Sequence, residues 1–219
     1  MVREPMTPAG GSEEKEPQRL EAFSDGVFAI AITLLVLEMK VPHDAGDGLG
    51  RALLDDWPSY LGFVTSFAVI GIMWINHHRI FRLLRRTDHT LLILNGLLLL
   101  GVTFVPYPTA VLASYLGHPG DRIAAMFYSG SFVVIAIAFN VLWRYMSSPR
   151  AGLMRVPHDH PEVLATHSQY RLGPLFYLVT FAIAFWNATA SLIGNLALAL
   201  FFAIPPAGPR APAEPRTLS

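Results

Sequence analysis

Cysteine is absent from the sequence, so neither a disulfide framework nor a thiolate metal site can form. A surplus of charge is missing too: Lys+Arg and Asp+Glu both number 16, and the formal net charge is zero. With no basic excess to neutralise phosphates, a nucleic-acid partner is not expected. Charge of either sign is scarce, at 15% of residues, where soluble domains carry about 25%. No G-x-S-x-G, Walker A or H-E-x-x-H motif occurs, which argues against an enzyme. What the chain has instead is apolar length. Its 219 residues are 53% hydrophobic and the mean hydropathy is +0.42, which points to an all-α integral membrane protein embedded in a lipid bilayer.

The two ends differ from the middle. Residues 1–18, "MVREPMTPAGGSEEKEPQ", are rich in Pro, Gly and Glu. They have neither the basic start nor the apolar centre of a signal peptide and are expected to form a disordered tail. Residues 206–219 are Pro-rich and are expected to form a second such tail. Residues 19–205 are expected to be a six-helix transmembrane domain. A spanning helix needs roughly 20 mostly apolar residues. Candidates are Phe23–Met39, Tyr60–Ile75, Leu91–Leu112 and Ile123–Met146. The stretch Leu172–Ile204 is too long for one span and tight for two. "FWNATAS", Phe185–Ser191, offers a turn that divides it into a fifth and a sixth.

Arginine is distributed unevenly over the connections. Arg79, Arg82, Arg85 and Arg86 follow the second span, and Arg144, Arg150 and Arg155 follow the fourth, with Arg171 before the fifth. The connection after the first span is acidic, with Asp44, Asp47, Asp55 and Asp56, and the one after the third has only Arg122. Cytoplasmic loops carry the Lys/Arg excess. Both termini are therefore expected in the cytoplasm, with an even number of spans, in the cell (inner) membrane.

The first span, "RLEAFSDGVFAIAITLLVLE", carries an acid where an apolar run begins. At 100° per residue, Phe23, Thr33, Leu34 and Leu37 fall within about 60° of Ile30, while Asp25 lies about 140° away. The helix thus has an aliphatic stripe with one hydroxyl, and a polar start aimed elsewhere. Lipid contact or helix packing also produces such a stripe. Arg19 and Asp25 lie about 240° apart around the helix, so their partners are expected on other helices. Trp74 and His77, which share a face with Phe81 on the second span, and Asn95 on the third are candidates for interhelical ties.

Arg19-x-x-x-Phe23-Ser24-Asp25 followed by "GVFAIAITLLVLE" closely resembles the first helix of the bacterial relatives of the lysosomal potassium channel, transmembrane protein 175. Trp74, His77 and Asn95 resemble the same family, and the resemblance covers about Arg19 to Pro205. It implies a homotetramer around a central pore lined by the first helices, conducting potassium passively and needing no cofactor beyond the permeant ions. The positions matching the family's constriction are Ile30, Thr33, Leu37 and, in some members, Leu34. Arg19, Phe23, Ser24, Asp25, Trp74, His77 and Asn95 would form its structural polar network. A narrow ring of aliphatic side chains excludes water and gates by dewetting. The alternative is a proton-coupled secondary transporter in which Asp25, His77 and Glu38 titrate.

Other motifs are weak. "HDHP" at His158–Pro161, with His167 nearby, has poor metal-ligand spacing, His77-His78 has no matching third ligand, and no metal site is expected. Asn187-Ala188-Thr189 fits a glycosylation pattern but sits in a short turn.

Overall fold

The computed structural model describes residues 15–39 and 48–204. Helix α1 spans Lys15–Leu34 and continues as a 3-10 turn, Leu35–Glu38. Then come α2 (Leu49–Asp55), α3 (Trp57–Phe81), α4 (His89–Phe104), α5 (Pro106–Tyr115) and α6 (Asp121–Met146). The chain closes with α7 (Pro161–Arg171), α8 (Gly173–Ala184) and α9 (Ala188–Ala203). No β-strand occurs among the described residues; the one isolated bridge pairs Leu84 with Met154.

Local chemistry sets the helix ends. Asp88 caps α4, its carboxylate accepting from the Leu91 amide at 2.8 Å, and Asn187 caps α9 through the Ala190 amide at 2.8 Å. These contacts satisfy amides that have no partner within the first turn. Pro58 and Pro174 sit in the first turns of α3 and α8, where a missing amide hydrogen costs nothing. Pro106 interrupts the third apolar stretch, yet Val105 keeps helical angles, so α4 and α5 form one rod, His89–Tyr115. The turn before α6 uses Gly117 and Gly120 at φ 81° and 100°, a region costly for other residues.

Among the described residues, four helical stretches are long and apolar enough to cross a membrane: Glu16–Glu38, Trp57–Phe81, His89–Tyr115 and Asp121–Met146. The molecule is a multi-pass helical membrane protein. The stretch expected to hold the fifth and sixth spans is a hairpin of α8 and α9, with 12 and 16 residues. Leu172 and the Gly173-Pro174 pair part α8 from the polar α7, and the turn at Phe185–Asn187 limits the other end. Helix α1 starts at Lys15, inside the expected tail, so residues 15–18 are helical. The rest of that tail, the C-terminal tail and part of the acidic connection (Asp44 and Asp47) lie outside the described residues.

Helix α6 is central, packing on α4, α5, α8 and α9, while α1 lies against α3, α4 and α5. Trp143, Tyr128 and Phe132 of α6 are among the bulkiest buried side chains of this core. At Gly101 a Cβ would sit 2.8 Å from Ile135 Cγ1; only glycine lets α4 approach α6 so closely. Buried polar pairs link the layers: Ser66 to Thr109 (2.7 Å) and Tyr128 (3.0 Å), and Ser129 to Ser191 (2.7 Å) and Asn195 (2.8 Å).

The two Arg-rich connections are clipped together at one end of the bundle. The Arg85 amide donates to the Leu153 carbonyl at 2.7 Å, and the Arg155 amide to that of Leu83 at 2.8 Å. The ends of the described chain come to the same place. Thr87 donates to Glu16 at 3.1 Å, near the start of α1, and Asn76 donates to the Phe202 carbonyl at 3.1 Å, near the end of α9.

Candidate pore helix and its polar anchor

Two faces of α1 behave oppositely. Ser24, Phe28, Ala31 and Leu35, spaced by four, three and four residues, are buried against the bundle. Ile30 (58% exposed), Leu37 (74%), Phe23, Thr33 and Leu34 point away from it. Only 22% of the spanning window of α1 is buried, against 39–44% for the other three spans. One chain therefore anchors α1 by one side and leaves an apolar stripe uncovered.

The 3-10 turn at Leu35–Glu38 alters the end of that stripe. At three residues per turn, positions i and i+3 eclipse, so Leu37 stacks directly beyond Leu34. Val36, which uniform α-geometry would set well around the helix, is also exposed, at 53%. Thr33 donates its hydroxyl proton to the Ile30 carbonyl at 2.9 Å. What it offers outward is the oxygen's remaining acceptor capacity, which suits a cation.

The buried face carries a directed chain of hydrogen bonds. Ser24 donates to the Leu20 carbonyl at 2.8 Å, and the Asn95 amide nitrogen donates to Ser24 Oγ at 3.0 Å. Asn95 Oδ1 must then accept from His77 Nε2, 2.9 Å away, which puts a proton on Nε2. His77 Nδ1 is left buried without a partner. The ring stacks on Phe81 with centroids 3.9 Å apart and meets Phe28 at 5.3 Å. At the edge of this cluster Trp74 Nε1 donates to Asp25 Oδ1 at 2.8 Å. The carboxylate that opens the apolar run is thus held by an indole on the neighbouring helix.

Ser24, Asp25, Trp74, His77 and Asn95 accordingly meet in one cluster joining α1, α3 and α4. Arg19 and Phe23 are not part of it. Arg19 precedes Ile30 by eleven residues, about 20° away in helical phase. It is exposed on the stripe side and has no side-chain partner among the described residues. Phe23 is 63% exposed on the same side. Sequence reasoning missed a further tie: His78 Nδ1 lies 2.7 Å from Glu21 Oε1, beside Trp74 at 6.3 Å between ring centroids. No local spacing signals that pair, which depends on how α1 slides along α3. Among the described residues no three His, Asp or Glu side chains gather as a metal site would require.

Comparison with known proteins places this arrangement. Residues 19–106 match the family described as "Endosomal/lysosomal potassium channel TMEM175". A potassium channel of Chamaesiphon minutus is 54% identical over 195 residues, covering 88% of this chain and 96% of the relative. One of Streptomyces collinus is 47% identical over 190 residues, covering 85% and 91%. The bovine endosomal/lysosomal proton channel TMEM175 is 33% identical over 142 residues, 60% of this chain but 29% of the larger relative. The crystal structure of a lysosomal potassium-selective channel TMEM175 homolog from Chamaesiphon minutus superposes with a TM-score of 0.77 at 54% identity, covering 85% of this chain and 96% of that one. With the family model, the full-length relatives and the fold in agreement, the chain belongs to the TMEM175 family.

Proposed function

We propose that this chain is the subunit of a passive, potassium-permeable cation channel whose pore is walled by α1. The observation that carries this reading is the two-faced α1: a stripe of apolar side chains with one hydroxyl, uncovered in the single chain, opposite a face pinned by buried hydrogen bonds. Four such helices around an axis would stack Ile30, Thr33, Leu34 and Leu37 as rings. A narrow aliphatic neck holds water poorly, and an ion stripped of water cannot cross it. Slight widening admits partly hydrated ions, and potassium gives up its water more readily than sodium. The names of the Chamaesiphon minutus and Streptomyces collinus relatives support the same reading.

In the polar cluster, Ser24, Asp25, Trp74, His77 and Asn95 hold α1 in rotation, with Arg19 and Phe23 at its mouth. The proton-coupled alternative would use Asp25 and His77, which here hydrogen-bond Trp74 and Asn95 as interhelical ties. Currents of purified protein in a planar bilayer, under opposed potassium and sodium gradients, test the function. Discrete single-channel steps reversing toward the potassium potential are expected. Flux that saturates at low turnover and follows a proton gradient would replace this reading with the coupled one.

One chain supplies one wall, so the working unit is a homotetramer. Native mass spectrometry of the detergent-solubilised protein should give four chains, and a monomer that still conducts would overturn the assembly. Each subunit crosses the inner membrane six times, with the α8–α9 hairpin providing the last two crossings and both termini cytoplasmic. The convergence of the Arg-rich connections with the start of α1 and the end of α9 supports this topology. Reporters fused after Pro42 and after Pro205 should then read opposite sides of the membrane; the same side for both would exclude an even span count.

A further inference from the structure

Among the described residues, Glu16, Glu21, Asp25 and Asp88 do not pair with the arginines of the Arg-rich end. Glu16 accepts from Thr87, Glu21 lies against His78, and Asp25 accepts from Trp74. Asp88 is taken by the Leu91 amide and by the Tyr145 hydroxyl, at 2.8 and 2.5 Å. Arg86 donates to the Gly152 and Ala151 carbonyls, helping to clip the two connections together. Arg82, Arg85, Arg144 and Arg150 remain: all four side chains are exposed, and none has a hydrogen-bond acceptor or a carboxylate among the described residues. They lie on or beside the connections held by the Leu84–Met154 bridge.

We infer that this end of the bundle binds the phosphodiester headgroups of anionic phospholipids through Arg82, Arg85, Arg144 and Arg150. Depth selects the ligand. The spanning helices end at Phe81 and Met146, so Arg82 and Arg85 follow one span directly, Arg144 lies in the last turn of the other, and Arg150 is four residues beyond it. Basic residues next to a span meet the headgroup layer. A guanidinium offers phosphate oxygens a planar fork of donors and keeps its charge throughout. Had these arginines served only to orient the chain, their pairing with the four nearby acids would have been compatible with that role. Instead Glu16, Asp25 and Asp88 accept from other donors, Glu21 lies against His78, and the arginines face outward. The inference needs the membrane setting of the chain but not its permeation.

The test is lipid retention, measured by mass and independent of current. Detergent-purified full chain is incubated with phosphatidylglycerol or phosphatidylcholine of matched acyl chains and analysed by native mass spectrometry. The wild type should keep phosphatidylglycerol in preference to phosphatidylcholine. Each arginine near an anionic surface contributes about a fivefold change in partitioning. Arg82→Gln with Arg85→Gln, or Arg144→Gln with Arg150→Gln, should therefore lower retention by about an order of magnitude or more. Arg122→Gln, after the third span, should leave it unchanged. Equal retention of the two lipids by the wild type overturns the inference, as does undiminished phosphatidylglycerol binding in both double variants. Displacement of the lipid by millimolar inorganic phosphate would mean that a free anion is the ligand, and would overturn it as well. If a variant loses its assembly, the wild-type lipid preference and the phosphate competition still decide.

Discussion

Ile30→Asn should convert a selective, intermittently wetted pore into a leaky one. In the proposed tetramer the substitution would exchange a ring of sec-butyl groups for carboxamides that hydrogen-bond water and can coordinate an ion. The neck then wets more easily, and permeant ions no longer need to shed much of their hydration. Conductance should rise several-fold, and discrimination between potassium and sodium should fall. With potassium and sodium opposed across a bilayer in tenfold gradients, an ideally potassium-selective pore reverses near about 59 mV; the variant should reverse at less than half of that. Leu37→Ala should raise open probability with a smaller loss of selectivity, because it widens the neck without adding polarity. The appropriate control is Ile32→Val, half-buried on the opposite side of α1 and packed on the core, which should leave reversal potentials unchanged. Position 36 is a poor control: the 3-10 turn brings Val36 to the exposed side. If the Ile32 variant shifts reversal while Ile30→Asn does not, the ions pass along another face or another helix.

The phase of α1 was legible in the sequence because a spanning helix must separate an anchored face from an uncovered one, and a 3.6-residue period records that separation. Ile30, Thr33, Leu34 and Leu37 could therefore be grouped by spacing alone. The winding change at Leu35–Glu38 could not. Nothing in "LVLE" forbids an ordinary α-turn, and the tighter turn belongs to the packed structure, where Leu35 is buried. Four spans were legible from apolar length. The turn dividing the last apolar stretch was legible in "FWNATAS"; the shortness of α8 and α9 was not, because Gly173-Pro174 and Asn187 fix their ends more tightly than hydropathy does. The chemistry of the anchor was legible only as a set of candidates. That Asp25 needs a donor on another helix follows from the cost of an unpaired carboxylate in an apolar setting. That the donor is Trp74, while His77 turns inward to Asn95, depends on the rotation of α3. The Glu21–His78 contact depends on the same alignment.

Removing the centre of the anchor is the second large effect. Asn95 is 1% exposed and satisfies two groups at once, accepting from His77 and donating to Ser24. Asn95→Leu keeps the volume close but removes both bonds. His77 Nε2–H would lose its acceptor, and with Nδ1 already unpartnered the whole imidazole would lie buried without a hydrogen bond. A stranded buried polar group costs about 1–3 kcal/mol, whereas interhelical bonds in membranes average nearer 0.6 kcal/mol when the groups find substitutes. Here His77 Nε2 is newly stranded in an aromatic pocket while Ser24 keeps its bond to the Leu20 carbonyl, so a loss of about 1–3 kcal/mol is expected. It should appear as a sharp fall in the yield of assembled protein and in the temperature at which the assembly survives size exclusion. Asp25→Asn, which keeps an acceptor for the Trp74 indole, should cost much less than Asp25→Ala. Channels that survive Asn95→Leu should reverse at the wild-type potential, because the anchor sets where α1 stands and not what its stripe presents. Normal assembly together with a large shift in reversal would instead place Asn95 and His77 in the path of the ion.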